Sequence, residues 1–227
     1  MITVHHLNNS RSQRVLWALE ELGIPHKVKR YERDSTTNLA PENLKRVHPL
    51  GKSPVITDSN QSEGDIVVAE SGAIIEYLLQ TYGKGAYIPN MGTEASRQYS
   101  YWMHFAEGSL MQQLLLKIIF DKVASSPMPF FVKPIAKAIA KKVMSGYVAP
   151  NIKVMLNYIE NHLKGREWFA GDSLTGADIQ MSFPLEASVA GGLVGAHYPN
   201  IHAFVKRVHA RDAYQKALIT GGPYDYA

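Results

Sequence analysis

Every strand-like stretch of this 227-residue chain ends by Ala69, and no later run alternates as a strand. Four short runs carry the pattern: ITVHHL (2–7), HKVKRY (26–31), PVITD (54–58) and IVVA (66–69). Between the first two, Val15, Leu16, Leu19 and Leu22 recur at helical spacing, and Gly23 follows as a stop. Ser10-x-x-Gln13 has the form of a capping box, which predicts that this helix starts at Ser10. Asp34 to Pro49 reads as loop with a short helix near Pro41, and Ser59 to Asp65 as a turn. Ile74, Ile75, Leu78, Leu79 and Tyr82 make the stripe of another helix, closed by Gly83. A strand–helix–strand start implies a parallel pair with a right-handed crossover. The closely spaced PVITD and IVVA imply an antiparallel hairpin. The expectation is a mixed four-stranded α/β domain, βαβαββα, over residues 1–84.

GAYIPNMGT (85–93) then reads as a linker, and residues 94–227 as an all-helical domain. One long helix is predicted from Glu94 to about Val123, broken by the three prolines between Ser125 and Pro134. Further helices are predicted over Ala136–Met144, Val148–Leu163, Ile201–Arg211 and Ala213–Ile219. Thr175-x-x-Asp178 is a second capping box, flanked by Leu174 and Ile179 as a candidate hydrophobic staple.

Three segments point to one ligand site: VHHLNNSRSQR (4–14), LGKSPV (50–55) and ESG (70–72). Pro54 pushes Ser53 towards extended geometry, leaving the Ser53 backbone suited to pair with another peptide. Glu70 and Ser71 end a strand and open a helix, where free N–H groups and the dipole attract anions. Backbone pairing, an anion cradle and an acid for an amine together suit a small zwitterionic peptide. His5 and His6 lead into this site on a strand, so one is expected to point inward and one outward.

Apolar residues at 45% and charged residues at 19% fit an ordinary globular protein, and the net charge of +4 is spread rather than clustered. Nucleic-acid binding is therefore not expected. There is no cysteine, which excludes disulfides, thiolate metal sites and a protein thiol nucleophile. Nine histidines show no metal-ligand spacing, so no metal is expected. The N-terminus lacks a signal-peptide pattern and Lys117 interrupts the apolar run LLLKIIF, which favours a cytoplasmic protein without a membrane span. In FFVKPIAKAIAKKV, Lys133, Lys137 and Lys141 fall four apart opposite apolar residues. We read this as a solvated face over a core stripe rather than a membrane-surface helix.

HPLGKSPV followed by AESGAIIEYL, then GDSLTGADI and YPNIHAFVKRVHARDAYQKAL, together resemble the cytosolic glutathione transferases over essentially the whole chain. YWMHFAEGSLM and SSPMPFFVKPIAKAIAKKV resemble most closely a branch found in fungi and proteobacteria. The resemblance implies a thioredoxin-like N-terminal domain, a cis bond at Ser53-Pro54, glutathione as cosubstrate and a homodimer. It implies an enzyme of detoxification that activates glutathione as a thiolate towards small apolar electrophiles, with peroxidase activity as a companion reaction. The alternatives are a non-catalytic glutathione- or apolar-ligand-binding protein, and a glutathione-dependent disulfide reductase.

The resemblance also implies roles for residues. Ser10, four before Arg14, matches the serine that donates to the glutathione sulfur, with Ser12, Asn8 and Asn9 as alternatives. The tyrosine- and cysteine-type patterns do not fit. Ser71 would hold the γ-glutamyl carboxylate, Glu70 the amine, the backbone of Ser53 beside Pro54 the cysteinyl unit, and Lys52 the glycyl end. Leu7, Tyr101, His104, Phe105 and Gly108 are the candidate walls of the electrophile pocket.

Overall fold

A computed structural model describes residues 1–37, 39–59 and 64–227. The strands are β1 (Ile2–Leu7), β2 (His26–Tyr31), β3 (Val55–Asp58) and β4 (Ile66–Ala69), in the order β2-β1-β3-β4. β1 runs parallel to β2, and β3 is antiparallel to both β1 and β4, as the element order requires. Part of the turn expected over 59–65 lies outside the described residues. The short helix near Pro41 is a 3₁₀ turn, Glu42–Arg46. This is a thioredoxin-like sheet, and an all-helical domain follows it.

Helix α1 spans Ser12–Leu22, two residues later than the capping box predicts. Ser10 Oγ does accept from the Ser12 N–H at 3.2 Å, but Gln13 does not reach back. Its carboxamide is buried without a hydrogen-bond partner. The carboxamide is turned instead towards the far end of the chain: a Cβ at Gly221 would sit 2.8 Å from Gln13 Oε1. Gly23 ends α1 in the left-handed region, at φ 63°. Helix α2 is Ser71–Tyr82.

The helical part contains α3 (Glu94–Phe105), α4 (Met111–Ser125), α5 (Lys133–Val143), α6 (Ala149–Leu163), α7 (Gly176–Ala190), α8 (Pro199–His209) and α9 (Asp212–Gly221). The single long helix expected from Glu94 is α3 and α4 joined by a π turn, Ala106–Leu110; a second π turn, Met144–Val148, joins α5 to α6. The Thr175 box forms as expected. Asp178 accepts from the Thr175 N–H (2.7 Å), the Thr175 hydroxyl (2.8 Å) and the Phe169 N–H (2.7 Å).

One apolar core runs through both parts. Leu16, Trp17 and Leu19 of α1 and Ile75 and Leu79 of α2 are fully buried, each such side chain contributing about 1.5–3 kcal/mol. Across the junction, the Trp17 and Tyr214 rings meet edge to face at 5.6 Å and Arg211 pairs with Glu21. On α5 the expected core stripe is only half covered. Ala140 is buried, but Ile135 and Ile139 are exposed. Among the described residues no helix is long and apolar enough to cross a membrane.

Candidate active site

A cleft of about 310 Å³ opens between the β3 and β4 ends of the sheet and the α3–α4 π turn. Lys52, Ser53, Pro54, Glu70 and Ser71 all line it. The Ser53-Pro54 bond is cis, and Ser53 Oγ donates to His5 O at 3.0 Å, which fixes this corner against β1. Glu70 sits at φ 71° at the junction of β4 and α2, and Ser71 is the first residue of that helix. The first N–H groups of α2 have no partner within their own helix, so this edge favours an anion.

The loop before α1 is tightly held. Asn8 Oδ1 accepts from the Arg33 N–H at 3.1 Å. Asn9, at φ 47°, donates through Nδ2 to Asp225 at 2.7 Å and accepts the Asp225 N–H at 3.0 Å. Both asparagine side chains are thus engaged by the protein. Ser12 is fully buried: its Oγ lies 2.8 Å from His6 Nδ1, donates to Leu7 O at 3.2 Å and accepts from the Leu7 N–H at 3.3 Å. Ser10 Oγ lies 2.8 Å from Ser12 Oγ.

His5 and His6 do take opposite faces, but both faces are covered, so neither points to solvent. His5 is held by Tyr31 Oη and Thr57 Oγ1, each at 3.0 Å. Burial, reinforced by Lys29, lowers its pKa. His6 lies under α1, and burial together with Arg30 pushes its pKa down to about 4, so its imidazole is neutral at pH 7. Leu7 belongs to a small apolar cluster with Tyr31 and Leu44.

Of the cleft residues absent from the sequence expectation, two form an ion pair. Arg11 Nε donates to both carboxylate oxygens of Glu107, at 3.2 and 3.0 Å. The same carboxylate accepts from buried Arg14 at 2.7 Å, and Arg14 also reaches Gln180 at 2.9 Å. Both guanidinium groups lie over the Phe183 ring, 5.7 and 5.2 Å from its centroid. Burial lowers the Arg14 pKa, and Glu107 counters that shift. Glu107 is placed by the π turn, a device common at functional sites.

Leu7, Tyr101, His104, Phe105 and Gly108 do not line this cleft. Tyr101 stacks on Phe105 at 5.7 Å and meets Tyr158 of α6 at 6.1 Å, while His104 and Gly108 are exposed. A more apolar pocket of about 290 Å³ lies between α4, α7 and the chain end, with Leu114, Ile118, Ala187, Leu193 and Tyr226 in its walls. Among the described residues no cluster of three or more histidine or carboxylate groups is arranged to hold a metal ion.

Two family sequence patterns match the chain: the N-terminal domain of glutathione S-transferase over residues 10–81 and its C-terminal domain over residues 122–212. Glutathione S-transferase 3 of Schizosaccharomyces pombe is 36% identical over 94% of this chain and 85% of its own length. The chain belongs to the glutathione S-transferase family. A glutathione S-transferase crystal structure from Actinobacillus pleuropneumoniae superposes with a TM-score of 0.80 at 33% identity, covering 100% of this chain and 95% of that one. A family member from Pseudomonas fluorescens Pf-5, solved with two glutathione molecules bound, shares the fold with a TM-score of 0.74 at 23% identity, over 96% of this chain and 92% of that one. The cleft of this chain lies at the α2 N-terminus, beside the π turn of the helical domain.

Proposed function

We propose that this glutathione S-transferase binds glutathione in the 310 Å³ cleft and delivers it as a thiolate to small apolar electrophiles. The observation that carries the reading is the convergence of Ser53, Glu70 and Ser71 on one cleft beside the Ser10 loop. The α2 N-terminus with Ser71 receives the γ-glutamyl carboxylate and Glu70 its ammonium. The Ser53 backbone pairs with the cysteinyl unit, and Lys52 faces the glycyl carboxylate.

Ser10 is the donor to sulfur in this reading, and the hydroxyl inventory supports it. Ser12 Oγ gives its one proton to Leu7 O and accepts the Leu7 N–H, so it has none to offer a ligand. Ser10 Oγ accepts the Ser12 N–H and has a proton of its own to donate. Ser12 gives its proton to Leu7 O and Asn9 Nδ2 donates to Asp225, so Ser10 is preferred to both as the donor. A free thiol of pKa about 8.5 is about 3% ionised at pH 7; lowering it by about two units takes about 2.7 kcal/mol. The thiolate sulfur then forms a bond to the electrophilic carbon as the leaving group departs with its electron pair. Positioning and thiolate stabilisation supply the rate.

The apolar pocket beside Tyr226 is the nearest fit for an electrophile. Exposed Val67 on edge strand β4, with exposed Tyr101, Val154 and Tyr158 on the helical domain, supports a homodimer. Calorimetry with glutathione, set beside turnover of a chlorodinitrobenzene, tests the proposal. Binding with thioether formation and chloride release is expected; binding without turnover would leave a glutathione-holding protein, and activity confined to disulfides a reductase.

A further inference from the structure

We propose that α5 and the segment before it form a docking surface for an anionic lipid bilayer, on which the helix lies without crossing. Four aromatic or aliphatic side chains here are uncovered: Phe130 is 86% exposed, Phe131 64%, Ile135 62% and Ile139 53%. Two consecutive phenylalanines followed by an i, i+4 isoleucine pair place a contiguous apolar strip along one flank of α5. The opposite flank carries Lys133, Lys137 and Lys141, again four apart. α4 packs against α5 and adds exposed Ile119 and Val123.

Charge identifies the occupant. From Lys122 to Ile159 the sequence holds six lysines, at 122, 133, 137, 141, 142 and 153, and no aspartate or glutamate. The nearest preceding acid, Asp121, is paired with Lys117 at 2.6 Å. A second copy packed isologously on this face would set lysines against lysines. An apolar strip flanked by lysines whose stems are apolar and whose heads stay in water matches the boundary between acyl chains and anionic headgroups. Basic residues close to such a surface each add attraction, and apolar insertion supplies the second anchoring signal that stable attachment needs.

Flotation of the purified full-length chain with vesicles tests this. Vesicles of phosphatidylglycerol and phosphatidylcholine are expected to carry the protein up the gradient, and pure phosphatidylcholine vesicles at least about tenfold less. The pairs Lys137→Glu with Lys141→Glu, and Phe130→Ser with Phe131→Ser, are each expected to cut partitioning at least about tenfold, while glutathione turnover stays at the parent level. These side chains lie outside the cleft; if the serine pair misfolds, the glutamate pair carries the test alone. Equal recovery on neutral and anionic vesicles, absence of flotation, or unchanged flotation of the lysine variant overturns the proposal. So does a serine variant that changes only the oligomeric mass in sedimentation, because that would assign the face to a second copy.

Discussion

Ser10 Oγ stands 2.8 Å from Ser12 Oγ, and Ser12 Oγ stands the same distance from His6 Nδ1. A hydroxyl just before α1 is thereby linked to a buried imidazole. Ser10→Ala removes the hydroxyl from the ligand but leaves the residues expected to hold the peptide. The pKa of bound glutathione should rise by about 1–2 units, equivalent to about 1.5–3 kcal/mol, with a much smaller change in affinity. Thiolate absorbance against pH on the bound complex is the measurement. An unchanged titration with unchanged turnover would move the donor role to Ser12 or to the amides of Asn8 and Asn9.

Glu70→Ala and Ser71→Ala act on the other half of the ligand. In the proposed pose each removes a charge-assisted hydrogen bond at the α2 N-terminus, worth about 1.5–3 kcal/mol, so glutathione should bind about 10- to 100-fold more weakly. Calorimetry on both variants decides. Wild-type affinity in both would dismiss the cleft as the glutathione site.

His6 makes stability depend on pH. Its folded pKa is about 4, against 6.5 for an ordinary histidine. Between those values the unfolded chain binds a proton that the folded chain does not, so stability rises with pH through the window and falls as pH drops towards 4. The full effect is about 3 kcal/mol. Asp178, whose carboxyl burial pushes up to about 6, acts with the opposite sign, and it is common to parent and variant. Urea unfolding at pH 7 and pH 4.5 should therefore show a shallower loss for His6→Gln than for the parent. Identical slopes would mean that His6 is not held neutral by burial.

Glu107 bridges Arg11 and Arg14. Glu107→Gln leaves the buried Arg14 guanidinium with Gln180 as its remaining neutral partner. The expected cost is about 1–3 kcal/mol of stability, and Arg11 is released towards the cleft. Thermal unfolding, with glutathione affinity measured alongside, checks both parts. A variant as stable as the parent would show that the triad is not a structural clamp.

What was legible in the sequence was local. The strand runs and the Thr175–Asp178 box are each written within a few residues, and they form as read. Gln13 misled because its carboxamide is turned towards Gly221, on the last helix. Arg11 and Glu107 were missed because their pairing joins residues 96 positions apart through a π turn that carries no periodicity signal. Tyr101 and Phe105 lie on α3, just before the π turn that holds Glu107, but they are drawn into contact with Tyr158, and pairing across two helices leaves no trace in the spacing. That Lys52, Ser53, Glu70 and Ser71 share one cleft was readable because they stand next to the turns that present them.

The Trp17–Tyr214, Glu21–Arg211 and Asn9–Asp225 contacts tie the beginning of the chain to its last helix and tail. On the ribosome this order matters. The sheet and its two helices emerge first, yet one side of α1 has nothing to pack against until residues beyond 211 have left the exit tunnel. A nascent chain arrested at the linker would display Trp17 and the polar, partnerless Gln13 to the cell, a natural foothold for a chaperone. The loop that carries Ser10 would thus be among the last parts of the protein to take its final shape.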